Sequence, residues 1–359
     1  VVALSQYAVD LRVNLRVWDE QIYYNVAQNV LDGHWLLPRF TVASHPIPVT
    51  TPFLHKPPLA YWIQAIAMAI GGETPAAARW PSVFAMGAVV GLTVLLAWRL
   101  SGPVAGILAG GLLLPIGAMS DTHAANHVAT DPFLLVFGLA ATYALVVAVR
   151  TDARHWWAVA GVGYGLAILS KGVAAAPFGL FVLPYLASRR SEWDPRDFGT
   201  MVAAGLVVSL PWFVAVLLLT PSELVHQMFA RQVLSRATGQ AYVTHEGTFG
   251  FMRYPYFREA PQYFAPTGYV LPLGLLMTII HVARSRRFRE IEILCWPLSI
   301  GTIFLYAVVG GNHIWYILPA AVPIALLAAD ATARLMTAVV ESVVTWLALY
   351  SNRRRLQRL

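Results

Sequence analysis

Charge is what this sequence has least of. Asp, Glu, Lys and Arg make up 12% of the 359 residues, against 58% apolar side chains. A soluble chain of this length carries far more charge, so repeated long apolar runs place this one among polytopic membrane proteins. Cysteine is nearly absent too. The single Cys295 excludes an intrachain disulfide, and its place at the start of an apolar run makes it packing against core or lipid. The opening Val1-Val2-Ala3-Leu4 has no basic region and no full apolar stretch before Asp10, so no signal peptide is visible. It reads as the end of a first membrane helix whose beginning is missing. Acidic residues are few, 18 against 25 Lys and Arg, for a net charge of +7. The basic residues cluster between apolar runs, which speaks for orientation in a membrane with anionic lipid and against nucleic acid.

What the chain has in quantity is apolar runs of spanning or near-spanning length. They fall at about 76–98, 103–119, 132–149, 156–170, 173–187, 199–219, 266–283, 292–309 and 314–329. A further run at 335–350 is interrupted by Glu341 and is expected to lie along the membrane. Residues 59–70 are apolar but too short to cross, and Pro57-Pro58 starts them sharply, as befits an interfacial helix. The expected fold is an all-α membrane bundle of about ten or eleven helices, one domain over 1–359. Its first outer loop spans 10–75 and its second 220–265.

Orientation follows from the basic loops. With residues 18–62 outside, Arg99, the Arg150/Arg154 loop, Arg189-Arg190 and Arg284 to Arg287 all fall inside. The same alternation gathers Asp19, Glu20, Lys56, Asp131, Lys171, Arg231, Arg236 and His313 on the opposite face. A secondary transporter places charges near mid-membrane in inverted repeats. Here the charges sit at span ends and no such repeat is visible, so the site is interfacial.

Each group has a plain and a chemical reading. Asp19-Glu20, followed by Tyr23 and Tyr24, suits a helix first turn, and a carboxylate there also suits a general base. Lys56 is held before two prolines after His55, which suits a phosphate headgroup as well as ordinary snorkelling. Asp131 opens a span at Pro132 and would sit at a helix N-terminus. Lys171 is either topological punctuation or, against the positive-inside bias, part of the site. His123 and His127 stand at i, i+4 between Asp121 and Asp131, a metal candidate with no third spaced ligand. The 220–265 segment mixes arginines (Arg231, Arg236) with Phe229, Tyr242 and Tyr254, a composition for sugar stacking and phosphate contacts or for an aromatic belt.

Together these blocks resemble a known family. Asp19-Glu20 with Tyr23 and Tyr24, Gly33-His34-Trp35, Lys56-Pro57-Pro58-Leu59-Ala60-Tyr61-Trp62 and Ala78-Arg79-Trp80-Pro81-Ser82 look like the opening of the GT-C glycosyltransferases. The likeness is to the aminoarabinose-transferase and protein O-mannosyltransferase superfamily. Ala129-Thr130-Asp131-Pro132, Leu169-Ser170-Lys171-Gly172, Phe229 to Arg236 and Trp315-Tyr316-Ile317-Leu318-Pro319 extend it along the chain.

The resemblance implies inverting transfer of a sugar from a polyprenyl-phosphate carrier to a lipid, glycan or protein acceptor. It implies an integral protein of the cell membrane with its site on the extracytoplasmic side. On that basis Asp19 is the catalytic carboxylate, Glu20 supports it and Asp131 joins them. Lys56, Arg236, Lys171 and His313 hold the donor phosphate; Tyr23, Tyr24, His55, Tyr61, Arg231 and Tyr316 line the sugar site. No cofactor is required, with a divalent cation left open. The alternative is a polyprenyl-lipid-binding or transport protein of the same fold that transfers nothing.

Three departures stand out. His55 takes the place of an acid common before the Lys-Pro-Pro lysine, and Gly311-Asn312-His313 lacks a lysine frequent there. The sequence also carries no sizeable soluble segment after its last apolar run.

Overall fold

The computed structural model describes residues 1–9, 11–16, 18–42, 47–120, 123–151, 153–235, 256–309 and 313–356. The chain is an all-α membrane fold with one small hairpin. A short helix α1 (Val2–Tyr7) precedes α2 (Trp18–Leu31), the hairpin strands β1 (Arg39–Val42) and β2 (Val49–Pro52), and α3 (Leu59–Gly71). Then come α4 (Pro75–Ser101), α5 (Pro103–Leu113), α6 (Asp131–Thr151) and α7 (His155–Lys171). After α7 the chain turns through Gly172–Ala175 into α8 (Ala176–Leu180) and α9 (Leu183–Ser188), followed by α10 (Pro195–Leu219).

Local chemistry fixes the helix starts. Thr74 caps α4 by accepting from the Ala77 amide at 3.2 Å, with Pro75 just inside. Asp194 caps α10, and the Asp197 carboxylate accepts in return from the Asp194 amide in a capping box. Gly172 makes the turn after Lys171 at a φ of +61°, a conformation that glycine adopts without strain.

Seven helical stretches among the described residues are long and apolar enough to cross a membrane. They are Pro75–Ser101, Asp131–Thr151, His155–Ser188, Pro195–Leu219, Thr267–Ser285, Glu290–Ala307 and Ile314–Tyr350. The count is lower than the ten or eleven helices expected, for three reasons. Pro103–Leu113 is only 11 residues long. The runs 156–170 and 173–187 form one stretch bent at Gly172, and 314–329 with 335–350 form another. No break occurs at Glu341, because the helix Ala321–Leu356 runs straight through it. The run expected to lie apart along the membrane is thus the continuation of the last spanning helix.

The basic loops meet at one end of the bundle. Arg150 donates to the Arg99 carbonyl and, with Arg189, holds Glu290 at 2.9 and 3.0 Å. Arg289 and Arg334 both reach Asp330, at 2.5 and 3.5 Å. Asp131 and Lys171 lie at the other end of the α6–α7 hairpin, where their side chains pair. The hairpin β1–β2 was not foreseen. Its residues Phe40, Thr41, Val42, Val49, Thr50 and Thr51 are strand formers, and the Thr41 amide donates to Asn25 at 2.8 Å, tying it to α2.

Glycines let α7 approach its neighbours closely. A Cβ on Gly161 would lie 2.1 Å from the Met201 carbonyl oxygen, and one on Gly165 2.7 Å from that of Gly205. Gly161→Ala is therefore expected to destabilise by about 1–3 kcal/mol through overpacking. Gly91→Ala in α4, where an added Cβ meets nothing within 4 Å, is expected to be neutral or slightly stabilising. Thermal unfolding in detergent compares the two. Equal melting would remove the close approach as an explanation.

Candidate active site

Asp19 and Glu20 share the first turn of α2 and point apart. Successive residues on a helix are turned by about 100°, so adjacent carboxylates cannot face the same neighbour. Glu20 turns inward and is 1% exposed. Arg79 of α4 holds it through two parallel bonds, Nε to Oε1 at 2.7 Å and Nη2 to Oε2 at 2.9 Å. The amides of Arg16 and Val128 donate to the same carboxylate at 2.7 and 2.9 Å. Arg79 also donates to the carbonyls of Leu11, Val13 and Asn14.

Burial opposes the charge of Glu20, but these donors outweigh it and hold its carboxyl below the ordinary range. Its oxygens are taken up by structure. Glu20, expected beside Asp19 in a supporting role, joins α2, α4 and the segments at 11–16 and 123–130.

Asp19 turns outward, its side chain 41% exposed. Both of its close contacts fall on Oδ2: the Tyr23 hydroxyl at 3.5 Å and His123 Nε2 at 3.4 Å. Tyr23 is buried and accepts from Lys56 Nζ at 2.7 Å. Burial pushes the Tyr23 phenol well above its usual range, and Asp19, Tyr61, Asp131 and Tyr316 act in the same direction. The phenol is thus neutral, receiving from Lys56 and able to donate to Asp19.

Across the cleft Lys171 pairs with Asp131, both side chains buried, and its ammonium sits 5.7 Å over the Tyr316 ring. His123 lies between the two groups. Burial pushes its imidazole down to about 4, Asp131 and Asp19 opposing and Lys171 and Lys56 adding to the effect. A run of contacts from Lys56 through Tyr23, Asp19, His123, Trp315 and Tyr316 to Lys171 sets these charged groups beside one another. The His123 ring stacks on Trp315 at 4.6 Å, and His313 stacks on Trp315 at 4.2 Å.

Several expected members stand elsewhere. Tyr24 donates to the Glu73 carbonyl at 2.7 Å, away from Asp19. Tyr61 is fully buried against Tyr23 and Phe53, a wall of the cleft more than a lining. His55 lies on the Phe53 ring and 3.0 Å from Gln232. Arg231 is exposed on the π-helical stretch Val225–Leu234. Arg236, with Tyr242 and Tyr254, lies outside the described residues.

The metal reading of His123 and His127 is not supported. Residues 123–127 form turns, so the i, i+4 spacing does not set the two on one helical face. Among the described residues no group of three or more His, Cys, Asp or Glu side chains could hold an ion.

Some members went unforeseen. Gln227 accepts from the Leu54 amide at 2.8 Å and donates to the Pro52 carbonyl at 3.1 Å, strapping the second long segment to the Lys56 loop. Gln64 donates to the Ala129 carbonyl at 2.9 Å, fixing the approach to Asp131. Arg79 had a legible signal: an arginine inside an apolar span needs a buried acid.

Below the cleft an apolar cavity of about 500 Å³ runs between α7, α8–α9 and α10. Ile168, Gly172 and Met228 line it near Lys171, and Met201, Leu186 and Phe198 line its far end.

The chain is similar to known proteins in sequence and in fold. The family model described as dolichyl-phosphate-mannose-protein mannosyltransferase matches residues 55–218, a range that includes Lys56, Asp131 and Lys171. An undecaprenyl phosphate-alpha-4-amino-4-deoxy-L-arabinose arabinosyl transferase of Pseudomonas fluorescens is 28% identical over 351 residues, covering 93% of this chain and 55% of that protein. One from Sodalis glossinidius is 26% identical over 344 residues, covering 90% of this chain and 56% of that protein. The chain thus spans about half the length of the curated relatives it matches.

Among solved structures, ArnT from Cupriavidus metallidurans bound to undecaprenyl phosphate superposes with a TM-score of 0.75 at 22% identity. It covers 93% of this chain and 59% of that one. The archaeal oligosaccharyltransferase AglB from Archaeoglobus fulgidus gives 0.60 at 16% identity, covering 97% and 50%. The fold is shared with both.

Proposed function

We propose that this chain, related along nearly its whole length to the GT-C glycosyltransferases of the aminoarabinose-transferase and protein mannosyltransferase superfamily, moves a sugar from a polyprenyl-phosphate carrier to an acceptor at the membrane surface. The observation that carries the reading is the cleft itself. An outward carboxylate, Asp19, contacts Tyr23, which is bonded to Lys56, and His123, whose stacked partner Trp315 adjoins Tyr316 beneath Lys171; an apolar cavity opens beside Lys171.

Each part has a task. The apolar tail of the carrier occupies the cavity, and the phosphate lies at Lys56. That lysine is held by the Tyr23 phenol and can donate a charge-assisted hydrogen bond to the phosphate. Lys171, paired with Asp131, adds a more compensated charge from the other side. The acceptor oxygen attacks the anomeric carbon from the face opposite the phosphate, and the configuration inverts. The carbon–oxygen bond to the phosphate breaks with its electron pair leaving on the phosphate, while the acceptor's proton passes to Asp19. Phosphate is a good leaving group, so positioning and charge neutralisation dominate, and the reading requires no cofactor. The acceptor is a lipid, glycan or protein.

The gathering of Arg99, Arg150 and Arg189 at the opposite end supports an extracytoplasmic site.

The test is consumption of polyprenyl-phosphate sugars by the purified chain, with membrane lipid extract as acceptor. Carrier consumption supports the transferase. Carrier bound but never consumed supports the alternative, a lipid-binding or transport protein. In the same assay Lys56→Met is expected to weaken carrier binding about 10- to 100-fold, the worth of one hydrogen bond to a charged group. Unchanged binding would move the phosphate site elsewhere.

A further inference from the structure

His123 is a buried polar ring beside Asp19 to which the mechanism above gives no task. Its backbone has a φ of +68°, a region that few non-glycine residues occupy. This places a ring that is 4% exposed against Trp315, with Nε2 3.4 Å from Asp19 Oδ2. Two rings stacked at 4.6 and 4.2 Å fit only on opposite faces of Trp315, so His123, Trp315 and His313 form one column ending at Asp19.

We propose that His123 is a positioning residue for Asp19, its Nε2–H fixing Oδ2 so that Oδ1 is presented to the acceptor. The inference rests on the transferase reading. Three observations carry it. His123 Nε2 lies 3.4 Å from Asp19 Oδ2, just beyond hydrogen-bond length, a gap that a small rotation of the half-exposed Asp19 side chain would close. Tyr23 approaches the same oxygen at 3.5 Å, so two donors converge on Oδ2. Finally, burial keeps the imidazole neutral, and a neutral ring donates from one nitrogen only.

Two substitutions separate this role from packing. His123→Gln keeps an N–H donor and loses the stacked ring; His123→Phe keeps the ring and loses the donor. With wild type alongside, Gln is expected to retain most of kcat. Phe is expected to lose about 10- to 100-fold, the scale on which misorientation of a reacting group acts. KM for the carrier stays the same in both. In an Asp19→Asn background His123→Phe is expected to lower the residual rate no further, since the two act through one group.

The opposite order, Phe active and Gln impaired, overturns the proposal in favour of packing. So do equal rates, loss of carrier binding by either variant, or a further loss of rate in the Asp19→Asn background. Failure of the wild type to consume carrier is a separate result: it sinks the transferase reading itself.

Discussion

Asp19→Asn is expected to lower turnover about 10²- to 10⁴-fold, the range that a positioned general base supplies. Carrier binding is expected to be unchanged. The reason lies in what the amide keeps. Asparagine has nearly the shape of aspartate, and its carbonyl oxygen can still accept from Tyr23 and from His123. What it cannot do is take the acceptor's proton. The Lys56 ammonium is bonded to Tyr23, a neutral group that lies between it and Asp19, so the substitution removes no charge from the phosphate site.

The loss should therefore fall on kcat and spare carrier affinity. Single-turnover consumption of bound carrier, measured beside equilibrium binding, separates the two. If turnover survives in Asp19→Asn, the base is another group. If carrier binding collapses with it, Asp19 holds the donor and does not activate the acceptor.

Much of this site was legible because charge is rare in the sequence. Asp19, Lys56, Asp131 and Lys171 were assigned to one face by loop alternation alone, and in the structure a run of contacts through Tyr23, His123, Trp315 and Tyr316 joins them. The basic loops were likewise expected together, and Arg99, Arg150 and Arg189 do meet at the other end.

What alternation cannot supply is rotation about a helix. It puts Asp19 and Glu20 on the same side of the membrane and says nothing of which one faces protein. That depends on Arg79 lying across from one of them, a contact between α2 and α4 separated by 59 residues. His123 was read only as a metal candidate for a similar reason. Its i, i+4 relation to His127 presupposes a helix, whereas the chain there turns and aims the ring at Asp19. The straight run through Glu341 escaped because a single acid was read as a break. Glutamate is a good helix former, and nothing in the local chemistry ends the helix there.

Arg79→Ala is expected to cost about 3–5 kcal/mol of stability, because it strands a buried carboxylate without its partner. Glu20 and Arg79 have no exposed side-chain surface, so water cannot take over. The carbonyls of Leu11, Val13 and Asn14 lose their donor at the same time. Lysine at this position is expected to recover only part of the loss, since an ammonium cannot make the parallel pair of bonds. The double substitution Arg79→Met with Glu20→Gln should be less damaging than Arg79→Met alone, because no buried charge remains unpaired.

The pair also carries a pH signature. The Glu20 carboxyl lies below its ordinary range in the folded protein. Its stabilising contribution is thus fully present above the unfolded value of about 4.3 and is lost as pH falls through the folded one. Thermal unfolding in detergent should show wild type weakening in that acid window, while the double variant lacks that part of the decline. Asp19 differs on every count: its loss should leave melting intact and stop transfer, whereas loss of Arg79 should lower melting, carrier binding and transfer together. Melting of Arg79→Ala at the wild-type temperature would mean that the buried pair does not hold α2 against α4, and the outward aim of Asp19 would need another cause.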